Sequence, residues 1–341
     1  MATVTDPSRP SVSLPSARCS AARRSERDIL RVTLKTKPLF AVRTEASSDY
    51  GQGMGSSIVI RGEKIAVAIS PDGAEPVSMR DEDDHEYLWS GDDPWHRHAP
   101  ILFPVICRVP DDRIRVGDET FPMPQHGFAR DRRWTVVDSA NDRVSLVLVS
   151  DEETRKHFPF DFALAATYVT EGRTLTTHYT VENRGDEPMP FALGSHPAFV
   201  WPLEDGQPRS MHQIRFDEPE TAPMRRVVDN LLTPERFDNP AWERVVTLND
   251  SWFTDGAVIL PEVASKGLTY SSPQGRVVRL SWEGFTGITL WSVPGARFVC
   301  VEPWRGQPAP VDFVGQFAGK PGNVVLPPGG RDTLSYCVEL L

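Results

Sequence analysis

From Ile58 onward, apolar side chains return at every second residue. Ile65, Val67 and Ile69 alternate with Ala66, Ala68 and Ser70; Val278, Leu280 and Trp282 keep the same step; Leu334, Tyr336, Val338 and Leu340 end the chain on it. A period of two marks a strand with one buried face, because successive side chains leave the backbone on opposite sides. Trp134–Val137 and Val144–Val149 read as a hairpin, and Leu175, Thr177, Tyr179 and Val181 as a strand closed by the turn residues Asn183-Arg184-Gly185-Asp186. Between strands there is no helical pattern of the roughly 10–15 residues that a parallel α/β sheet needs. The 31 prolines and 24 glycines cut the chain too often for one. About a dozen candidate strands joined by short turns predict an all-β fold, a large antiparallel β-sandwich. Glu86–Trp89 is expected as a further short strand, and residues 203–250 as rim loops or short helices.

The chain has 341 residues, long for one domain, but β folds of this size often form a single unit. Residues 1–53 carry nine Lys/Arg against five Asp/Glu, so the −10 net charge of the whole leaves −14 on the rest. They are rich in Ser, Pro and Arg and lack an apolar signal core. We expect residues 1–53 to be a disordered extension and residues 54–341 to be the sandwich domain. The acidic balance argues against nucleic acid or an anionic membrane surface as partner. No apolar run approaches the roughly 20 residues of a membrane span. Cys19, Cys107, Cys300 and Cys337 show no C-x-x-C spacing and read as reduced thiols, which suits a cytoplasmic protein. The oligomeric state is expected to be a monomer or homodimer.

Three stretches do not look like structural filler. Pro124-Gln125-His126-Gly127-Phe128-Ala129-Arg130-Asp131 sets a histidine beside a glycine, where backbone comes close to a ligand. Gly194-Ser195-His196-Pro197-Ala198-Phe199 projects an imidazole from a strand that proline stops. Cys300-Val301-Glu302-Pro303-Trp304 ends an apolar strand in a carboxylate, and Phe298, Cys300 and Glu302 share one face of it. A partly desolvated Glu302 is a stronger base near neutral pH. Two imidazoles and one carboxylate suffice to move a proton on and off two oxygens of one small molecule.

Each residue also has a plainer reading: His126 and His196 as satisfied core histidines, Glu302 as a strand-end surface residue, Arg130 as part of a salt-bridged turn. Trp95, Trp201, Trp252 and Trp304 suit either a core or a platform for a sugar ring. His96-x-His98 offers two metal ligands but no third residue follows in Ala99–Val105, so no metal is expected. No G-x-S-x-G elbow supports a serine hydrolase.

Together with Glu86-Tyr87-Leu88-Trp89, Ala99-Pro100-Ile101-Leu102-Phe103-Pro104 and Thr254-Asp255-Gly256-Ala257, these stretches resemble the aldose 1-epimerase (galactose mutarotase-like) superfamily, in its bacterial LacX-related branch. The resemblance spans about residues 56–341, and the motifs follow the family's order. It implies that superfamily's β supersandwich and a cofactor-free isomerase interconverting the α and β anomers of a small-molecule sugar. By that resemblance Glu302 takes the anomeric proton, His196 protonates the ring oxygen and His126 holds the sugar. Arg108, Asp255, Arg130 and Trp304 are the implied substrate-binding residues. Two positions depart from the pattern: Cys107 stands where relatives often have glycine, and Thr254 where asparagine is common. A non-catalytic sugar-binding or sensing protein, a hexose-phosphate mutarotase and a metal-dependent isomerase are the alternatives.

Overall fold

The computed structural model describes residues 57–273 and 275–341. The expected extension, residues 1–53, lies outside them. The alternating stretches are realised as antiparallel strands: Ile65–Ser70 is the middle of a three-stranded sheet with Ile58–Arg61 and Glu75–Asp81, and the others lie in two large sheets. The larger has nine strands: Val245–Thr247, Gln213–Phe216, Gly267–Ser271, Val277–Glu283, Arg331–Leu340, Thr174–Asn183, Phe162–Glu171, Arg143–Val149 and Thr135–Ser139, in that order. Three neighbouring strands in it, Arg331–Leu340, Thr174–Asn183 and Phe162–Glu171, are each ten residues long. The second sheet has six strands. Val258–Leu260, Gly287–Trp291, Phe298–Arg305, Leu193–Ser195 and Ile101–Leu102 lie side by side, and Ala198–Val200 also pairs with Phe298–Arg305.

The core lies where the two apolar faces meet. Leu164, Tyr179, Leu280 and Tyr336 come from the large sheet, and Leu193, Phe199, Leu290, Val299 and Val301 from the smaller one. Each such aliphatic or aromatic side chain contributes roughly 1.5–3 kcal/mol on burial. Three of the hydroxyls caught in this layer bond one another: Tyr179 Oη donates to Ser195 Oγ at 3.3 Å, which donates to Tyr336 Oη at 3.0 Å.

Three expectations need correction. Glu86–Trp89 forms only isolated bridges, Arg80 to Glu86 and Leu88 to Phe199. The Glu86 carboxylate takes the backbone N–H of Met79 (2.7 Å) and of Leu88 (3.0 Å), tying this segment by a side chain instead of a ladder. Within 203–250, Gln213–Phe216 and Val245–Thr247 extend one edge of the large sheet. Ile214 and Val246 are buried there, but runs of three and four residues are too short to show a period. Cys107 and Cys300 are free and buried, as expected. Cys337 is disulfide-bonded, contrary to expectation, which removes part of the support for a cytoplasmic location; Cys19 lies outside the described residues. Among the described residues no helix is long and apolar enough to cross a membrane.

Candidate active site

The strand Phe298–Arg305 is buried on both faces. Val299 and Val301 enter the sandwich core, while Phe298, Cys300 and Trp304 join smaller apolar clusters on the opposite face. Glu302 alternates with Val301 and so belongs to that second face, only 1% exposed. Burial raises its pKa well above the usual carboxylate value, and the Trp304 indole N–H, donating to Oε2 at 3.2 Å, partly opposes the rise.

The register brings His196 to it. Leu193–Ser195 pairs Gly194 with Trp304, and Ala198–Val200 pairs Ala198 with Cys300, on the same neighbouring strand. Pro197 interrupts the ladder between them, and continuing the register sets residue 196 opposite residue 302. His196 Nε2 lies 3.3 Å from Glu302 Oε2. Its Nδ1 is buried without a hydrogen-bond partner. Ring packing orients it instead: Trp95 stacks on it at 4.9 Å and 28°, and Trp291 meets it edge-on at 5.6 Å and 83°. Burial, then the charges of Arg130 and Arg97, push the His196 pKa down to about 3.

His126 has a left-handed backbone, φ 64°, and so does Cys107, φ 54°. The two residues hold each other. The Cys107 N–H donates to His126 Nδ1 at 3.0 Å, and the His126 N–H donates to the Cys107 carbonyl at 2.7 Å. With Nδ1 accepting, the neutral ring carries its proton on Nε2 and presents a donor there. The ring stands perpendicular to that of His196, centroids 5.8 Å apart. Burial, helped by Arg130, His196 and Arg97, holds His126 well below the usual imidazole pKa.

The structure therefore joins Glu302, His196, His126 and Trp304 in one cluster. Trp304 does so by gripping the carboxylate, not by offering a free face. Gly194 is what lets the indole lie there, since a Cβ at 194 would come within 2.8 Å of Trp304 Cδ1. Arg130 is at the periphery: its Nη2 donates to the Gln125 carbonyl at 2.8 Å, and its charge acts on both histidines. Arg108 and Asp255 share no hydrogen bond, ion pair or ring contact with the cluster among the described residues. Arg108 pairs with Asp112 at the edge of a cleft of about 480 Å³ that also includes Gln125 and His157. Asp255 is exposed, near the Arg226 guanidinium.

Of the other tryptophans, Trp201 is core and lies under Arg209, and Trp252 bonds the Thr247 carbonyl. His96 is exposed beside Asp93, and His98 faces Glu75, so this pair does not form one metal site. Sequence reading missed Trp291, Arg97 and the place of Cys300. Trp291 was within reach of a register argument, because it pairs with Cys300 across the sheet. Arg97 acts on the histidines through its charge alone, from a loop where it pairs with Asp131, and carries no periodic signal.

Replacing Trp304 with phenylalanine is expected to keep the packing and remove the N–H that favours ionised Glu302. A hydrogen bond to a charged group is worth roughly 1.5–3 kcal/mol, so the Glu302 carboxyl should hold its proton about 10- to 10²-fold more tightly. Difference infrared titration of that carboxyl reads the change, and an unmoved midpoint would show that the indole does not act on it.

A family model, Aldose 1-epimerase, matches residues 56–318. The plasmid-borne protein LacX of Lactococcus lactis subsp. lactis is 25% identical over 300 residues, covering 84% of this chain and 99% of its own. A galactose mutarotase-like protein from Lactobacillus casei superposes with a TM-score of 0.79 at 34% identity, over 84% of this chain and all of the other. A galactose mutarotase related enzyme from Lactobacillus acidophilus gives 0.78 at 27% identity, over 84% and 97% of the two chains. The motifs, the sandwich and the matched residues thus agree over nearly all of the described chain, and this protein belongs to the aldose 1-epimerase family.

Proposed function

We propose that this protein interconverts the α and β anomers of an aldose by general acid–base ring opening and closure. One observation carries the reading: a buried carboxylate and a buried imidazole 3.3 Å apart, with a second imidazole beside them. The anomeric hydroxyl oxygen and the ring oxygen are bonded to the same carbon. Opening the ring requires removing a proton from the first and adding one to the second. The base and the acid must therefore sit side by side, as Glu302 and His196 do.

The pair needs one proton between them. Glu302 as carboxylate takes the anomeric proton while imidazolium His196 protonates the ring oxygen, leaving a neutral acid and a neutral imidazole beside the open-chain aldehyde. Rotation about C1–C2 and the reverse transfers close the other anomer. Burial favours the neutral pair before the sugar enters, and that state holds the same number of protons as the reactive one. The His126 Nε2–H is a fixed donor for a sugar oxygen. The unpartnered His196 Nδ1 and Thr289 Oγ1, the latter across the register from Glu302, offer further bonds to hydroxyls. We assign Arg108 and Asp255 to the outer sugar hydroxyls. No cofactor enters this scheme.

Exchange NMR over a panel of hexoses, pentoses and their phosphates tests the proposal. Acceleration of at least one sugar supports it. Saturable binding with no exchange would make the protein a sugar binder instead. A hexose phosphate is the second reading, favoured by the charges of Arg97 and Arg130 beside the histidines. The pH profile has a definite expected form. On the acid side activity falls when the pair takes up a second proton, and His196 is pushed down to about 3. On the alkaline side it falls when the single proton leaves, and Glu302 is raised. Enzyme-catalysed kcat/KM should thus be flat over about pH 5–7, with no break near the ordinary imidazole pKa of about 6.5. A midpoint at 6–7 on the acid side would contradict it.

A further inference from the structure

We propose that His196, Cys300 and Glu302 form a binding site for a borderline-soft divalent cation such as Zn²⁺, and that its occupancy and sugar turnover exclude each other. A ring nitrogen of His196, the Cys300 sulfur and a Glu302 oxygen all lie within 4.8 Å of one another. Cys300 and Glu302 are two residues apart on one strand face, and His196 reaches them through the paired segment beside it. Imidazole, thiolate and carboxylate form the kind of three-ligand set that leaves zinc a fourth position for water.

The spacing suits tetrahedral coordination. With zinc–nitrogen and zinc–oxygen bonds of about 2.0–2.2 Å, two such ligand atoms stand about 3.3–3.5 Å apart. His196 Nε2 and Glu302 Oε2 are 3.3 Å apart. The longer zinc–sulfur bond of about 2.3 Å asks for a sulfur about 3.6 Å from each, so the Cys300 side chain closes by at most about 1.2 Å from the 4.8 Å limit. Charge balance also favours the complex. A dication with one thiolate and one carboxylate is neutral, the cheapest state in a site where all three residues are at most 6% exposed. The thiol proton and the carboxyl proton pass to solvent as the two bonds form.

Coordination removes both the base and the acid from the sugar. The binding step stands apart from the anomer-exchange reading, and the inhibition that follows rests on it.

The test uses the full chain after chelator treatment, titrated with Co²⁺ as a spectroscopic stand-in and then with Zn²⁺. We expect a thiolate-to-cobalt charge-transfer band of one-to-one stoichiometry that Zn²⁺ displaces. Cys300→Ser and Cys300→Ala should each lose the band, while Cys107→Ser, at the other free cysteine, keeps it. Zn²⁺ should slow exchange in the parent protein, and Cys300→Ala should need about 10²-fold more metal for half-inhibition, each rate taken relative to that variant's own metal-free value. No band in the folded parent protein, or a band that survives both Cys300 substitutions, overturns the site. Exchange without a band would sink the metal site alone; a band without exchange on any sugar would sink the mutarotase reading alone.

Discussion

Glu302→Gln leaves the sandwich folded and cuts catalysed anomer exchange by about 10²- to 10⁴-fold, the contribution usual for a positioned general base. Glutamine keeps the size of the side chain, and its carbonyl can still accept from the Trp304 indole, so the packing has no reason to change. What it loses is the ability to take and return a proton. The fold should tolerate the change well, because a titratable group at 1% exposure gives way to a neutral one. His196→Asn is expected to cost a similar factor, since one proton circulates between the two groups. Removing both should then cost little more than removing either, the behaviour of residues that act as one unit. The measurement is exchange NMR with the uncatalysed rate subtracted. Loss factors that multiply in the double variant would mean two separate contributions, and the shared-proton mechanism would fail.

Gly127→Ala is the largest expected stability change. Gly127 has φ +71°, and a Cβ there would lie 2.0 Å from the Phe103 carbonyl oxygen, 2.4 Å from its carbon and 2.7 Å from Pro104 N. All three atoms are backbone, so no side chain can swing aside. The left-handed conformation alone costs about 1–2 kcal/mol for an L residue, and the overlap adds about 1–3 kcal/mol more. A loss of about 3 kcal/mol or more in denaturant unfolding is expected. Gly117→Ala separates the two contributions: Gly117 also has positive φ, +60°, but nothing lies within 4 Å of its Cβ. Equal losses at 127 and 117 would show that the close approach of Phe103 is not what demands glycine after His126.

That glycine shows how far the chain could be read. The glycine after His126 was expected to let backbone approach a ligand; what lies against it is the Phe103 carbonyl, and nothing in the motif points to that segment. The alternation from Leu175 to Val181 gave the strand and its apolar face, because a period of two is a local property, but not its extent to Thr174–Asn183 or the burial of Thr176 and His178 on the other face. Gln213–Phe216 and Val245–Thr247 escaped notice since three or four residues do not make a period. Trp304, expected as a sugar platform, turned out to hold Glu302, and no residue count reveals which way an indole N–H points.

From the residues alone came the all-β class, the strand faces and the three stretches that the fold brings together at the candidate site. These follow from neighbours in the chain, where side-chain direction alternates by geometry. Only the tertiary structure set His196 against Glu302, because that contact depends on two segments, interrupted at Pro197, pairing with one strand about a hundred residues away. It alone placed Trp95 and Trp291 on the imidazole and the Cys300 sulfur within 4.8 Å of the His196 and Glu302 ligand atoms. It also left Arg108 and Asp255 out of contact with the cluster. A contact between distant residues is decided by which strands choose each other, and that choice is made by the whole buried core at once.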